Sequence, residues 1–372
     1  MKIVVLSAQA FSVLKFRSDM ISSFVRAGHE VIVGAPDTEE HWYRDIERLG
    51  AEYQRIRVNR TSINPIQDLS TLVSIMALLR REKPDLVFSY QAKTVIYGMI
   101  AAGICGVPKR YALIAGLGSA FRNTGHSMKA KVLKAVLSLE YRIALRFAKK
   151  VFFQNQDDAA EFVGRRIVKK TQIEYMNGSG VNLDVFKQTA IPDENRFLII
   201  SRYIRDKGII EYLEAARIVK QKYPEASFEM VGYYDPNPSA LKPDELQPYF
   251  DQDIALNCGK QDDVTPYLNR CSVYVLPSYH EGTPKSVLEA MAVGRPIITT
   301  NAPGCRETVQ DGVNGFLVEV KDVESLAEKM IWLIEHPTEA KNMGRRSREM
   351  VESRFDVRIV NKKLMDSMKL NK

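Results

Sequence analysis

The stretch Leu276-Pro277-Ser278-Tyr279-His280-Glu281-Gly282-Thr283-Pro284-Lys285-Ser286-Val287-Leu288-Glu289-Ala290 joins a strand, a loop and a helix. An apolar run ends at Pro277 and a polar loop containing Gly282 follows. A helical pattern then begins with Thr283 as N-cap and Pro284 at the first helical position, and Gly294 closes it. The backbone N–H groups of Lys285, Ser286 and Val287 would point out of that helix start, a setting that favours an anion. Glu281 precedes the helix and Glu289 lies inside it, so two carboxylates can address one ligand from two heights. One suits hydrogen bonds from a sugar, the other from a ribose diol. A plainer reading also fits: Glu281 complements the helix dipole and Glu289 is a solvated surface charge.

Outward from this unit, short apolar runs alternate with amphipathic helical patterns along all 372 residues. In the first half the strand candidates are 3–6, 30–33, 53–58, 86–90, 110–114, 151–154 and 173–176, with helical stretches such as 19–27, 69–81 and 129–149. In the second half 197–201, 228–231, 272–277 and 296–300 read as strands, and 209–222, 325–335 and 339–354 as helices. Most strands are continuous apolar runs, as expected of parallel sheets covered on both faces. Two such series predict an α/β protein of two doubly wound domains. The periodicity breaks at 188–195, which places an N-terminal domain at 1–187 and a C-terminal one at 188–356. A last basic helix, 357–370, could cap either domain, and packing on the first is favoured.

A 45% hydrophobic share with 26% charged residues is ordinary globular composition and excludes a disordered chain or a collagen-like fibre. No apolar run approaches the roughly 18 residues that span a bilayer. Lys2 followed by Ile3-Val4-Val5-Leu6 loosely resembles a signal peptide, but its apolar core is too short, so it reads as a first strand and the protein as cytoplasmic. Cys105, Cys258, Cys271 and Cys305 are scattered, with no metal-ligand spacing. The net charge of +8 is uneven: residues 1–187 hold 28 Lys/Arg against 17 Asp/Glu, a net of +11. The first half is therefore expected to meet an anionic partner.

Glu281 and Glu289 within EGTPKSVLEA resemble the E-x7-E signature of retaining GT-B glycosyltransferases of the family-4 type. Ser201-Arg202-Tyr203-Ile204-Arg205-Asp206-Lys207-Gly208 resembles that family's Arg-x4-Lys-Gly loop, and Val231-Gly232, Cys258-Gly259 and Pro303-Gly304 stand in family order. Phe16-Arg17, Tyr90-Gln91-Ala92-Lys93, Gly116-Leu117-Gly118-Ser119 and Gly178-Ser179-Gly180-Val181-Asn182 resemble a narrower subgroup. Its members extend undecaprenyl-diphosphate-linked sugars for capsule, O-antigen or glycoprotein glycans, and within it the likeness is greatest to N-acetylgalactosaminyltransferases. The resemblance implies a GT-B fold, two Rossmann-like domains facing across a cleft. The donor, a UDP-sugar, would sit on the C-terminal domain and a lipid-linked saccharide acceptor on the N-terminal one.

The resemblance also implies roles. Arg202, Lys207 and Glu281 would be catalytic. Glu289, Gly282, Thr283, Pro284, Lys285, Ser286, Val287, Gly118, His280 and Tyr233 would bind the donor, and Arg17, Lys93 and Arg122 the acceptor. Fixed cations make independent sense here, because a departing nucleoside diphosphate gathers negative charge. An exposed ion-pair turn at Arg205-Asp206-Lys207 is the plainer alternative. Two cations and a helix N-terminus could hold the leaving group's charge by themselves, so no metal and no cofactor is expected.

The chain departs from the family in two places. Leu113-Ile114-Ala115-Gly116-Leu117-Gly118-Ser119 lacks the His that many members carry, leaving His126 and His280 as the nearest substitutes. Ser7-Ala8-Gln9-Ala10-Phe11-Ser12 replaces a Gly-Gly loop, and no GxGxxG follows the first strand, which argues against a dinucleotide oxidoreductase.

From Phe121 to Lys150 eight Lys/Arg face one acid, Glu140, with Val132, Val136, Leu139 and Ile143 interleaved. A basic helix over 129–150 with an apolar face suits the inner surface of the cytoplasmic membrane, although a core helix with a basic solvent face has the same pattern. No nucleic-acid-binding signature accompanies it, and no nucleic-acid partner is expected. Two alternatives remain open at this level: a UDP-sugar epimerase on a similar scaffold, and a non-catalytic sugar-nucleotide or polyanion binder.

Overall fold

A computed structural model describes residues 1–60, 64–118, 121, 128–235 and 239–370, with Lys129 and Ala130 by backbone alone. The chain divides into two compact units, Met1–Ser179 with Val360–Lys372, and Gly180–Ile359.

The first unit holds a seven-stranded, all-parallel sheet in the order β3-β2-β1-β4-β5-β6-β7. Its strands are β1 (Lys2–Leu6), β2 (Glu30–Ala35), β3 (Glu52–Arg55), β4 (Leu86–Tyr90), β5 (Lys109–Ile114), β6 (Lys150–Phe153) and β7 (Ile173–Tyr175). In β1, Val4 and Leu6 enter one core and Ile3 and Val5 the other. Both faces are covered, which is why the strand reads as an unbroken apolar run. One face carries α3 (Pro65–Glu82), α4 (Ala92–Ile104) and α5 (Met128–Leu145). α4 is apolar almost all round because α3 and α5 flank it. α3 starts where the Asn64 side chain accepts from the Ile66 N–H at 2.9 Å, with Pro65 at the first helical position. The other face carries α1 (Ala10–Arg26) and α13 (Val357–Met368). Around the sheet lie α2 (Glu40–Glu47) and α6 (Gln156–Gly164).

The second unit has six parallel strands, β10-β9-β8-β11-β12-β13. These are β8 (Arg196–Ile200), β9 (Ser227–Val231), β10 (Leu256–Asn257), β11 (Val273–Leu276), β12 (Ile297–Thr300) and β13 (Gly315–Val318). Its helices are α7 (Ile209–Lys222), α8 (Pro243–Asp251), α9 (Thr265–Arg270), α10 (Lys285–Ala292), α11 (Val323–Glu335) and α12 (Pro337–Met350). Two strands go beyond the sequence expectation: β10 is a two-residue exposed edge and β13 only four residues long. Runs that short carry no periodicity.

Both sheets reverse their winding once, between β1 and β4 in the first unit and between β8 and β11 in the second. Ligands of doubly wound sheets bind outside the carboxyl ends of the strands at such a switch point.

The second unit begins at Gly180, eight residues before the expected 188. The Val181 N–H donates to Phe355 O at 2.9 Å, and Val357 N–H donates to Val181 O at 3.0 Å, binding this segment to the second unit. From Val360 onward the last helix belongs to the first unit, where Val360, Leu364, Met365 and Met368 join the core with Ile21 and Phe24.

Arg295 is fully buried and donates to Leu268 O, Asn269 O, Val293 O and both Thr189 oxygens at 2.6–3.0 Å. Five satisfied donors make it a clamp on the 188–195 segment, the stretch in which sequence periodicity fails.

Candidate active site

At the second unit's switch point two loops meet. The loop after β8 runs through Arg202 to Gly208, and the loop after β11 from Pro277 to Pro284. Tyr279 N–H and Ser278 Oγ both donate to Asp206 O, at 2.9 and 3.0 Å. Gly208 has φ +69°, and a Cβ there would lie 2.1 Å from Pro277 O, so no larger residue fits this approach. On the other side Glu281 N–H donates to Pro303 O at 2.9 Å. Gly304, at φ +79°, would place a Cβ 2.1 Å from Glu281 O. Glycines on both flanks thus fix the backbone that carries Glu281.

The charged groups there are paired. Lys207 Nζ contacts Glu281 Oε1, both side chains largely shielded. Arg202 Nη1 lies 3.1 Å from Asp235 Oδ2, on the segment after β9. Lys285 Nζ stands 4.0 Å from Glu289 Oε1 within α10. Glu289 is only 3% exposed, which overturns the solvated-surface reading and leaves a carboxylate held inside the helix layer. The exposed-turn reading of Lys207 fails too, since its ammonium is directed onto Glu281. Cys305 is buried next to this loop; desolvation, with the Glu281 charge adding to it, pushes its thiol up to about 12.

The start of α10 differs slightly from expectation. Pro284 is the N-cap rather than the first helical residue, no side chain caps the helix, and Thr283 lies outside it. Val287 N–H donates to Pro284 O at 3.1 Å, so it belongs to the helix's first turn and not to an open anion cradle. Gly282, Thr283 and His280 sit in the β11–α10 loop, with Lys285 and Ser286 at the helix start. The helix does close at Val293–Gly294.

Tyr233 stands beside the turn at 257–260. Its carbonyl accepts from Tyr203 N–H at 2.9 Å, and Lys260 Nζ lies 5.9 Å from its ring centre. Asn257 Oδ1 accepts from Tyr203 O–H at 2.7 Å and from Gly259 N–H at 3.0 Å, fixing that turn.

The first unit's switch point is built differently. Arg17 of α1 is 3% exposed, its guanidinium 5.1 Å from the ring centre of Tyr90, the last residue of β4. Its Nε and Nη1 reach no hydrogen-bond partner among the described residues. Burial pushes it down to about 10, so it remains charged at neutral pH. Next to it Gln91 has φ +71° and ψ 146°, a region a side chain rarely adopts. Its Oε1 accepts from Ala8 N–H at 2.7 Å and Ser7 Oγ at 3.1 Å. The Ser7–Gln9 loop, where the glycine pair was missing, is thus braced by a side chain. Asp37 completes the brace, accepting from Ala10 N–H at 2.6 Å.

Lys93 is paired with Asp68 of α3 and lies 5.5 Å from the Tyr97 ring centre. Gly118 has φ +72°. Arg122 and His126 lie outside the described residues. Sequence reasoning assigned no role to Asp235 or Gln91. An acid in a polar loop carries no signal, and Gln91 shows itself only through its backbone angles.

The basic helix expected over 129–150 is α5, which ends at Leu145. Its Tyr141, Ala144 and Leu145 face the core, while Val132, Val136, Leu139 and Ile143 are exposed. Among the described residues no helix is long and apolar enough to cross a membrane. Nor does any cluster of three His, Cys, Asp or Glu side chains with metal-holding geometry occur among them.

Two families match the chain in the order of its units: Glycosyl transferase 4-like domain over residues 15–177 and Glycosyl transferases group 1 over 182–350. The chain is 29% identical over 349 residues to N,N'-diacetylbacillosaminyl-diphospho-undecaprenol alpha-1,3-N-acetylgalactosaminyltransferase of Campylobacter jejuni, covering 90% of each. It is 26% identical over 289 residues to UDP-Gal:alpha-D-GlcNAc-diphosphoundecaprenol alpha-1,3-galactosyltransferase of Escherichia coli, covering 73% of this chain and 71% of the other. The crystal structure of Anabaena Alr3699/HepE in complex with UDP-glucose shares the fold, with a TM-score of 0.79 at 17% identity over 99% of both chains.

Proposed function

Because this chain belongs to the GT-B glycosyltransferases, its first unit a glycosyltransferase 4-like domain and its second a group 1 domain, we propose that it moves a sugar, N-acetylgalactosamine favoured, from a UDP-sugar to a saccharide carried on undecaprenyl diphosphate, keeping the α configuration. The donor side rests on one observation: Arg202, Lys207 and Glu281 are gathered at the β8/β11 switch point beside the start of α10. The specificities printed for the Campylobacter and Escherichia relatives support the acceptor class, and the UDP-glucose complex of the Anabaena protein supports the donor class. Capsule, O-antigen or glycoprotein glycan synthesis is the setting that this acceptor implies.

In this reading the incoming diphosphate draws Lys207 away from Glu281 and Arg202 away from Asp235, and the α10 start adds its dipole. Glu281, released, turns to the sugar; Glu289 accepts from the ribose diol, and Tyr233 flanks the base. His280, Gly282, Thr283 and Pro284 line the donor. The bond from the sugar's anomeric carbon to the diphosphate breaks, and the acceptor hydroxyl attacks that carbon from the same face. The acceptor proton passes to the departing phosphate oxygen, so the missing family histidine is not needed. Protein cations meet the charge on the leaving group, and the reading requires no metal.

The acceptor's diphosphate is assigned to Arg17, whose buried charge meets no counter-ion among the described residues, with Lys93 and Arg122 as further contacts. The apolar, basic outer face of α5 would hold the enzyme at the inner surface of the cytoplasmic membrane.

The test is thermal unfolding against UDP, GDP, ADP, NAD and a panel of UDP-sugars. A ligand at a hundred times its Kd adds about 2.7 kcal/mol. Stabilisation by UDP and one or two UDP-sugars is expected. A preference for GDP or ADP would overturn the donor assignment, and conversion of a UDP-sugar with no acceptor present would replace transfer by epimerisation.

A further inference from the structure

We propose that α3 forms a second bilayer-contacting face beside α5, so that the first unit docks on an anionic lipid surface through two parallel apolar stripes. This rests on the membrane reading of α5 above and extends it to a helix to which the sequence assigned no partner.

The helix α3 turns Thr71, Ile75, Leu78 and Leu79 inward. Its opposite face carries Ile66, Leu69 and Val73, which are 78%, 60% and 56% exposed. Their spacing of three and four residues places them in one stripe, flanked by the half-buried Ser70. Large apolar residues exposed singly need no explanation, but a row aligned along one helix marks a contact surface.

Its setting selects the occupant. α3, α4 and α5 lie side by side on one face of the sheet, α4 between the other two. Two helix spacings put α3 and α5 about 20 Å apart, and α4 between them ends in the exposed Ile104. The surface is therefore broad, wider than a groove for a single helix or strand. It is also cationic. Arg57, Arg60, Arg80, Lys131, Arg146 and Lys149 are exposed around it. The acids of α3 and α5 are not exposed: Asp68 is paired with Lys93, Glu82 with Lys2 and Arg81, and Glu140 accepts from Tyr97 O–H at 3.0 Å. Apolar rows a few ångströms deep between cations complement an anionic headgroup layer over a hydrocarbon interior.

Both helices follow strands of a parallel sheet, so both begin at its carboxyl edge, as α4 does with Lys93. The lipid surface would then meet the edge at which Arg17 and Lys93 stand, which is where a lipid-linked diphosphate has to arrive.

The experiment compares wild type with Leu69→Glu/Val73→Glu on α3 and Val136→Glu/Ile143→Glu on α5. It measures co-sedimentation with vesicles of phosphatidylglycerol and phosphatidylcholine, and with phosphatidylcholine alone. Wild type should partition to the anionic vesicles, and each pair should weaken this about ten-fold or more, given the apolar area withdrawn. If the α5 pair loses binding and the α3 pair does not, α5 docks alone and this inference falls while the membrane reading stands. If wild type binds neither vesicle, both fall. If wild type is oligomeric and the α3 pair is monomeric with vesicle binding intact, the face joins copies of the chain and the inference is overturned. A Leu69→Trp variant guards against misfolding of the double variant. Its emission should be quenched by brominated lipid beyond the wild-type level, and equal quenching would overturn the proposal.

Discussion

The two switch points hold their most buried cations in opposite ways. In the second unit Lys207, Arg202 and Lys285 each face a carboxylate. In the first, Arg17 is more deeply buried and faces an aromatic ring. A paired cation can exchange its carboxylate for a phosphate at little net cost, because charge stays matched before and after. A buried cation without a counter-ion carries a desolvation penalty that an arriving anion removes. The first arrangement suits a ligand that is bound and released every turnover; the second keeps a place for an anion at the expense of stability.

The largest expected effect tests the paired side. Lys207→Ala should lower turnover about 100- to 1,000-fold, as loss of one stabilising group at a developing anion does. Glu281→Gln should do so as well, with the fold retained in both although each leaves a shielded charge unpaired and lowers the melting temperature. Near-normal turnover in a folded Lys207→Ala protein would remove the donor assignment and erase the contrast.

Arg17→Met addresses the unmatched side. It should stabilise the chain by about 1–4 kcal/mol and raise the acceptor KM at least about ten-fold, leaving UDP-induced stabilisation as in wild type. The pH dependence has a definite sign. The folded value, about 10, lies below the ordinary 12.5, so the penalty is complete below pH 10 and fades only above it. The gain from Arg17→Met should therefore be constant from pH 6 to 9. A gain that changes across that range would mean a nearby group titrates with the guanidinium.

The smallest effect concerns Gln91. Gln91→Ala keeps the strained backbone and loses the two hydrogen bonds to the Ser7–Gln9 loop; Gln91→Gly loses the bonds and relieves the strain. The Gly variant should be the more stable by about 1–3 kcal/mol. Equal melting temperatures would show that the backbone at this position stores no strain.

Much of this was readable along the chain. Ile209–Lys222 is a helix with the ends its pattern predicts, and the apolar runs at 3–6 and 86–90, the latter broken only by Ser89, required sheets covered on both faces. The loops proposed to take the donor were legible because Gly208, Glu281 and Glu289 stand in a local, ordered motif. The start of α10 was misplaced by one residue because Thr283 and Pro284 both suit a helix entry, and only the backbone angles choose.

The sequence by itself determined the fold class, the two series of strands and helices, and the candidate donor residues, since periodicity and short motifs are local properties. Only the tertiary structure decided the rest. It moved the boundary from 188 to Gly180, because Val181 hydrogen-bonds across more than 170 residues to Phe355. It joined Lys207 to Glu281 across 74 residues. It buried Arg17 with Nε and Nη1 unpartnered among the described residues, bent Gln91 into strain, and left Ile66, Leu69 and Val73 facing outward. Burial, pairing and exposure depend on what the rest of the chain brings alongside, and no window of sequence contains that.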